Sequence, residues 1–443
     1  MSQPREDLND HGVQAFSAPS KAMVAGGYLI LEPRFRSFVT ALSCRMHALI
    51  GPINSQSFSD DQSIIRVSSP QFGGHWNFSI SKELEITETT GSKNPFLEAS
   101  IRTIIGYVRP TQYFRYQITL FSDPGYHTQE QTIKKTSNTQ KRLFLYHEKS
   151  IDQVPKTGLG LSAGFVTVVT TCLLTNLLRQ PLSAICDTVH KVAQIAHCDA
   201  QGKIGSGFDI ATAVNGSIVY KRFKPEVINH LLGRKITKEY SADITDVINS
   251  DWEFTSSSCS LPPGLKLLMG DVKTGSETPK LVCKVLAWRK SNPESDKVYE
   301  QLDCANEAFM NELLRLNNLY SSDPTKYMAS LSDSSSIFET LKATILAIRK
   351  GLQNLTARSG AEIEPEEQSQ LLDNCLKLVG SLGGLVPGAG GYDAICVFVE
   401  ESKANAFKRQ SSLDSSFDGV TWLDLSEESE GLLEEAPTDY GGL

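Results

Sequence analysis

The segment Lys156-Thr157-Gly158-Leu159-Gly160-Leu161-Ser162-Ala163-Gly164 runs straight into residues 165–178, a stretch without a charged side chain. A chain with this order makes a tight glycine turn and then buries an apolar helix. Glycine admits φ > 0 and lets the backbone approach a ligand closely. The first N–H groups of a helix have no intrahelical partner and sit at the positive end of its dipole, so an anion is favoured there. The segment reads as a phosphate cradle, with Ser162 offering a hydroxyl to a phosphate oxygen or a magnesium ion. The plainer alternative is a close-packed turn between a strand and a buried helix.

Two commoner phosphate loops do not fit. A P-loop places its lysine after the glycines, whereas Lys156 and Thr157 precede them here. A dinucleotide-binding turn needs G-x-G-x-x-G and an acidic residue about 20 positions on. This segment misses the third glycine by one position, and the next acid, Asp187, belongs to another segment. The apolar run approaches membrane-spanning length. Its glycines, its threonines and its phosphate-loop start favour a core helix, so no membrane association is expected.

Three other stretches carry chemistry. In 14–31, apolar runs broken by Pro19 and by Gly26-Gly27 predict two strands with a tight connection. Lys21 lies there among small and apolar neighbours, where an ammonium must reach water or find an anion. In 201–213, Asp209 follows three glycines and a serine; it is either a first-turn acid of a small-residue helix or a working carboxylate. In 385–398, a glycine turn leads into an apolar strand, which by itself is also what a hairpin needs. His127 stands in a polar loop and is left outside the catalytic set.

Together these segments resemble the GHMP kinases (galactose, homoserine, mevalonate and phosphomevalonate kinases). The central loop is similar to the family's second motif, written around G-L-G-S-S-A. Leu161 stands in place of the first serine, and Ser162 matches the second, which lies near the magnesium. The first motif, P-G-K followed by an apolar run and G-E, is matched by Lys21. Ser20 replaces its glycine and Gly27 its glutamate, so no role of that glutamate carries over. Ser206-Gly207-Phe208-Asp209 matches the family's S-G-x-D, whose carboxylate lies beside the reacting hydroxyl or phosphate. The stretch around Gly388-Ala389-Gly390 resembles the third motif. Where other members carry a metal-binding glutamate, this chain has Cys198 with Asp199 beside it. Magnesium prefers oxygen to sulfur, so the carboxylate ligand stays open.

The resemblance implies an α+β fold class with two domains. The N-terminal one would be a ribosomal-protein-S5-like α/β domain with a left-handed βαβ unit, and the C-terminal one a ferredoxin-like α+β domain, with the active site in the cleft between them. The expected spans are a disordered leader over 1–13, an ATP-binding domain over 14–225 with an insertion at about 50–150, a second domain with helical additions over 226–420, and a mobile acidic tail over 421–443. Residues 129–142 read as a mobile hairpin or flap.

The resemblance also implies ATP as co-substrate and Mg2+ as cofactor. The ATP-binding residues would be Lys156, Thr157, Gly158, Leu159, Gly160, Leu161, Ser162, Ala163 and Gly164, with Ser162 at the metal. Lys21 and Asp209 would be catalytic. Acceptor contacts would come from Ser17, Lys21, Lys93, Lys203, Ser206, Asp209, Gly388, Ala389 and Gly390. The flanks 154–158, 196–205 and 391–394 resemble the fungal-type members whose acceptor is 5-phosphomevalonate. That implies 5-diphosphomevalonate and ADP as products, on the mevalonate route to isoprenoids and sterols. The alternatives are a member with an alcohol acceptor such as mevalonate, or a non-catalytic nucleotide-binding regulator of the same fold.

A net charge of -8 argues against a nucleic-acid partner. Nine scattered cysteines without C-x-x-C predict free thiols in a reducing compartment. The polar, acidic start of the chain lacks an apolar signal segment. The expected setting is the cytoplasm, and the expected state a monomer or weak homodimer.

Overall fold

The computed structural model describes residues 12–53, 61–127, 131–151, 153–154, 159–272, 278–332 and 336–443. The leader expected over 1–13 falls almost wholly outside the described residues, as do Lys156, Thr157 and Gly158 of the phosphate loop.

The strands are β1 (Gln14–Ala25), β2 (Ser37–Pro52), β3 (Ser63–Ser69), β4 (Gly74–Ile80), β5 (Ile86–Glu88), β6 (Arg115–Ser122), β7 (Thr132–Thr136), β8 (Leu143–His147), β9 (Ile218–Lys221), β10 (Thr255–Ser258), β11 (Leu265–Val272), β12 (Ser381–Leu385), β13 (Ala394–Glu400), β14 (Val420–Trp422), β15 (Glu427–Glu428) and β16 (Leu433–Glu435). The helices are α1 (Pro95–Val108), α2 (Leu161–Leu178), α3 (Leu182–Gln201), α4 (Phe208–Asn215), α5 (Glu226–Asn229), α6 (Lys238–Asn249), α7 (Thr278–Ser291), α8 (Ser295–Ser322), α9 (Pro324–Ser332), α10 (Glu339–Ser359), α11 (Glu366–Cys375) and α12 (Ala404–Ser411).

The larger sheet runs β10-β9-β2-β6-β3-β4-β5, with β1 against β2. β3 and β6 pair in parallel, and α1 lies in the connection between them. β1 and β2 are buried along most of their length on both faces, with polar residues such as Ser17, Arg45 and His47 buried among the apolar ones. β4 alternates between buried and partly exposed residues, so one of its faces is wet. A layer of α1, α2, α3 and α4 packs together, and α2 and α4 lie against β1 and β2. The run of membrane-spanning length is α2, and it lies inside the fold. A helix that is apolar all round is stable where neighbours cover every side. Two of its four threonines back-bond: Thr171 and Thr175 donate to the carbonyls of Thr167 and Thr171, each at 2.8 Å.

The larger sheet continues past residue 225 through β10, and the chain enters the second sheet at Leu265. That sheet runs β12-β13-β11-β14 and is backed by α10, which packs on α8. β7, inside the stretch read as a flap, forms a separate hairpin with β8, which begins just past its end.

The stretch 421–443 departs from the mobile tail expected of its composition. β14 closes the second sheet, β15 pairs with β2, and β16 pairs with β1 on the larger one. Its acids are spaced by core residues, with Leu425, Leu432 and Tyr440 all buried. The acids themselves meet cations from distant segments: Glu428 meets Arg45 at 3.1 Å, Glu435 meets Arg142 at 2.6 Å, and Asp439 meets Lys141 at 3.0 Å. Gly431 crosses so close to α4 that a Cβ there would lie 2.1 Å from the Val214 carbonyl oxygen.

Arg45 is the buried anchor of this arrangement. Its guanidinium donates to the Ser17 hydroxyl (2.8 Å) and carbonyl (3.0 Å), to the Gly431 carbonyl, and to Glu428. Replacing it by alanine strands those acceptors. Arg45→Ala should lower unfolding free energy by about 3–5 kcal/mol, read by urea denaturation, and should open the chain after residue 425 to limited proteolysis.

Candidate active site

Lys21 is held where three elements meet. Its backbone N–H donates to the Leu159 carbonyl at 3.3 Å, which fixes β1 against the turn before α2. Gly160 caps α2 with φ of 83°, and a Cβ on it would lie 2.8 Å from Lys21 Cε. The lysine stem therefore runs across the bare face of Gly160, and only glycine satisfies both the dihedral and the contact. Lys21 Nζ lies 5.3 Å from the centre of the Phe208 ring at the start of α4. Burial pushes its ammonium below the usual lysine range, and the Asp209 carboxylate opposes that shift only in part.

Asp209 stands in the first turn of α4, whose cap is Gly207 rather than the aspartate itself. Its Oδ1 accepts from Ile210 N at 3.0 Å, and its Oδ2 lies 3.7 Å from His197 Nδ1. It is thus both a first-turn acid and the carboxylate whose charge acts on Lys21. Ser162, on the first turn of α2, has its Oγ 3.1 Å from His197 Nε2.

The glycine turn before β13 docks on β1. Gly388 N donates to the Met23 carbonyl (2.9 Å), and the Tyr28 hydroxyl donates to the Ala389 carbonyl (2.7 Å). Gly390 has φ of 75°, and a Cβ there would meet the Ile363 carbonyl oxygen at 2.2 Å. Between these walls lies a cavity of about 400 Å³. Its lining includes Lys21, Tyr28, Leu159, Ser206, Phe208, Gly388, Ala389, Gly390 and Asp393, with Met269 and Val282 adding apolar surface.

Asp209, Gly160, Leu161 and Ser162 adjoin lining residues but do not themselves line the cavity, and several other expected contacts lie away from it. Ser17 is fully buried upstream on β1; its hydroxyl donates to Glu435 at 2.6 Å and accepts from Arg45 at 2.8 Å, so the strand cover uses it. Lys93 and Lys203 are exposed and do not line the cavity. Lys93 borders a separate depression with Arg102 and Lys235. Ala163 and Gly164 are buried in α2; Ala163 N already donates to the Gly160 carbonyl at 3.2 Å, and Gly164 lets the helix approach Met46 of β2.

Neither candidate beside the missing glutamate is suited to a metal. Burial pushes the Cys198 thiol up to about 11. Asp199 pairs with Arg102 and accepts from Gly233 N at 2.7 Å. Among the described residues, no three His, Cys, Asp or Glu side chains gather as a metal site.

His197 escaped the sequence reading. Its signal was a polar stripe, His190-Gln194-His197-Gln201, at helical spacing along α3, a helix read only for its apolar face. In the structure the stripe is bonded, His190 to Gln194 at 3.1 Å and His197 to Gln201 at 3.2 Å.

No protein-family model matches the chain. The phosphomevalonate kinase of Candida albicans is 51% identical over 437 residues, covering 97% of this chain and 100% of its own. The chain belongs to the phosphomevalonate kinase family. The fold agrees with that placement. A phosphomevalonate kinase from Streptococcus pneumoniae, solved in complex with phosphomevalonate and AMPPNP, superposes with a TM-score of 0.60 at 18% identity, covering 94% of this chain and 99% of that one. The mevalonate kinase of Methanococcus jannaschii gives 0.56 at 13% identity, covering 95% and 99%. These likenesses bear out the α+β GHMP kinase fold. As a member of the phosphomevalonate kinase family, the chain is an ATP-dependent phosphotransferase.

Two outcomes follow from the Lys21 setting. Gly160→Ala should destabilise the protein by about 1–2 kcal/mol through its left-handed φ, and should lower kcat by displacing the lysine stem. Because burial lowers the pKa of Lys21, its charge is lost at a lower pH than that of a free lysine as pH rises. The alkaline limb of kcat/KM, which reports the unliganded enzyme, should accordingly fall below the ordinary lysine range.

Proposed function

We propose that this chain transfers the γ-phosphoryl group of ATP to 5-phosphomevalonate, giving 5-diphosphomevalonate and ADP, in the cavity between β1 and the glycine turn before β13. The observation that carries this reading is Lys21, threaded between the capping glycine of the phosphate loop and the helix that bears Asp209, with its side chain on the cavity wall.

Phosphoryl transfer needs chiefly positioning and charge neutralisation. The N-terminus of α2, at Gly160, Leu161 and Ser162, receives the ATP phosphates, with Lys156, Thr157 and Gly158 assigned to the same loop. Lys21 stabilises charge on the moving phosphoryl group. Ser206, Gly388, Ala389 and Gly390 shape the acceptor side.

A phosphate monoester has its second pKa near 6 and is largely ionised at pH 7, so little is left for a general base to remove. Asp209 then acts by restraining Lys21 and placing the reactants. The oxygen donors that suit Mg2+ are the Ser162 hydroxyl and the Asp209 carboxylate. When bound, the ion neutralises charge on the phosphates.

The setting is the cytoplasm, supported by nine cysteines that are all free thiols. The molecule acts as a monomer or weak homodimer, and its acidic balance fits small anionic metabolites held in a local pocket rather than nucleic acid.

A coupled assay of ADP release, with mevalonate and 5-phosphomevalonate side by side, tests the reading. Turnover is expected with the phosphorylated acceptor. Lys21→Met should lower kcat at least about 100-fold with an unchanged melting temperature. Preference for mevalonate would favour the alcohol-acceptor reading, ATP binding without turnover would favour a regulator, and wild-type rates in Lys21→Met would remove that residue from the mechanism.

A further inference from the structure

α3 packs against α1, α2 and α4, and His197 lies near its C-terminal end, 4% exposed. Its ring stacks on Phe96 of α1, with centres 5.7 Å apart. The two ring nitrogens address two different elements. Nε2 is 3.1 Å from Ser162 Oγ at the start of α2, and Nδ1 is 3.7 Å from Asp209 Oδ2 in the first turn of α4. Gln201, one turn on, places its amide nitrogen 3.2 Å from the same Nε2.

We propose that His197 is a positioning residue for phosphoryl transfer, tying the hydroxyl of the phosphate loop to the carboxylate beside Lys21. This rests on the reading that Ser162 and Asp209 flank the transferred group. A neutral imidazole carries one N–H and one acceptor nitrogen, and what faces each nitrogen sets the tautomer. With the proton on Nδ1, facing the carboxylate, Nε2 accepts. The Ser162 hydroxyl then donates inward and keeps its oxygen lone pairs for the ligand side. One buried ring thus aims an oxygen on the nucleotide side and an oxygen on the acceptor side. Support of this kind is what keeps a site in working geometry.

The two roles can be deleted separately, because the amide oxygen of glutamine can take the place of Nε2 as an acceptor for Ser162, and the amide nitrogen of asparagine falls near Nδ1 as a donor towards Asp209. His197→Phe keeps a ring against Phe96 and removes both. Its melting temperature should stay close to wild type, while kcat/KM for 5-phosphomevalonate falls roughly 10–100-fold and ADP affinity, read by calorimetry without acceptor, weakens. His197→Gln should recover ADP affinity but not kcat, and His197→Asn should recover part of kcat but not ADP affinity.

Wild-type kinetics in His197→Phe would overturn the proposal. So would losses in all three variants that follow melting temperature, or the absence of the glutamine–asparagine split. Should the phenylalanine variant not fold, the other two carry the test. The ADP measurement uses no acceptor, so an inactive wild type towards 5-phosphomevalonate would sink the assignment of the reaction and leave this one standing.

Discussion

The contact on which this molecule depends is that of the Lys21 stem with the bare Cα of Gly160. Through it the first strand, the phosphate loop and the helix after that loop hold one geometry. A cation in an apolar surround is unfavourable unless something answers its charge. Here the nearby carboxylate answers it in part, and burial still holds the ammonium below its usual range. A phosphate brought beside Lys21 would relieve that deficit, so the same burial that disfavours the ammonium favours an anionic partner for it.

The rest of the fold keeps that contact in register. β1 is tied on one side to β2 and on the other to β16, and its residue Met23 accepts from the glycine turn of the second sheet. The two sheets therefore share a wall at the cavity rather than merely facing each other. Arg45 and Glu427 fasten the last strands from below, Glu427 through the Leu261 N–H at 2.8 Å.

What was legible in the sequence was chemistry flanked by glycine. Lys21, Ser162 and Asp209 each sit near glycine; in the structure Lys21 lies against Phe208 at the start of the helix of Asp209, and His197 faces both Ser162 and Asp209. What was illegible depends on partners far away in the chain. Ser17 looks like a free hydroxyl until Arg45 and Glu435 take it. Lys93 and Lys203 look like anion ligands, but nothing local in a sequence separates an exposed lysine from a cavity one. The acids after residue 421 look like a solvated run because their cations, Arg45, Lys141 and Arg142, lie hundreds of positions earlier. His197 was within reach: a buried helix that spends four positions on polar side chains at one spacing is building something along that edge.

β16, late in the described chain, is the neighbour of β1, which comes early in it. Until β16 docks, β1 presents an uncovered edge, and such an edge invites pairing with another chain. With β1 and β16 so far apart in the chain, that part of the sheet can close only when distant segments meet, a pairing that is intrinsically slow. The stretch that carries β16 is thereby a structural seam, and not a loose end.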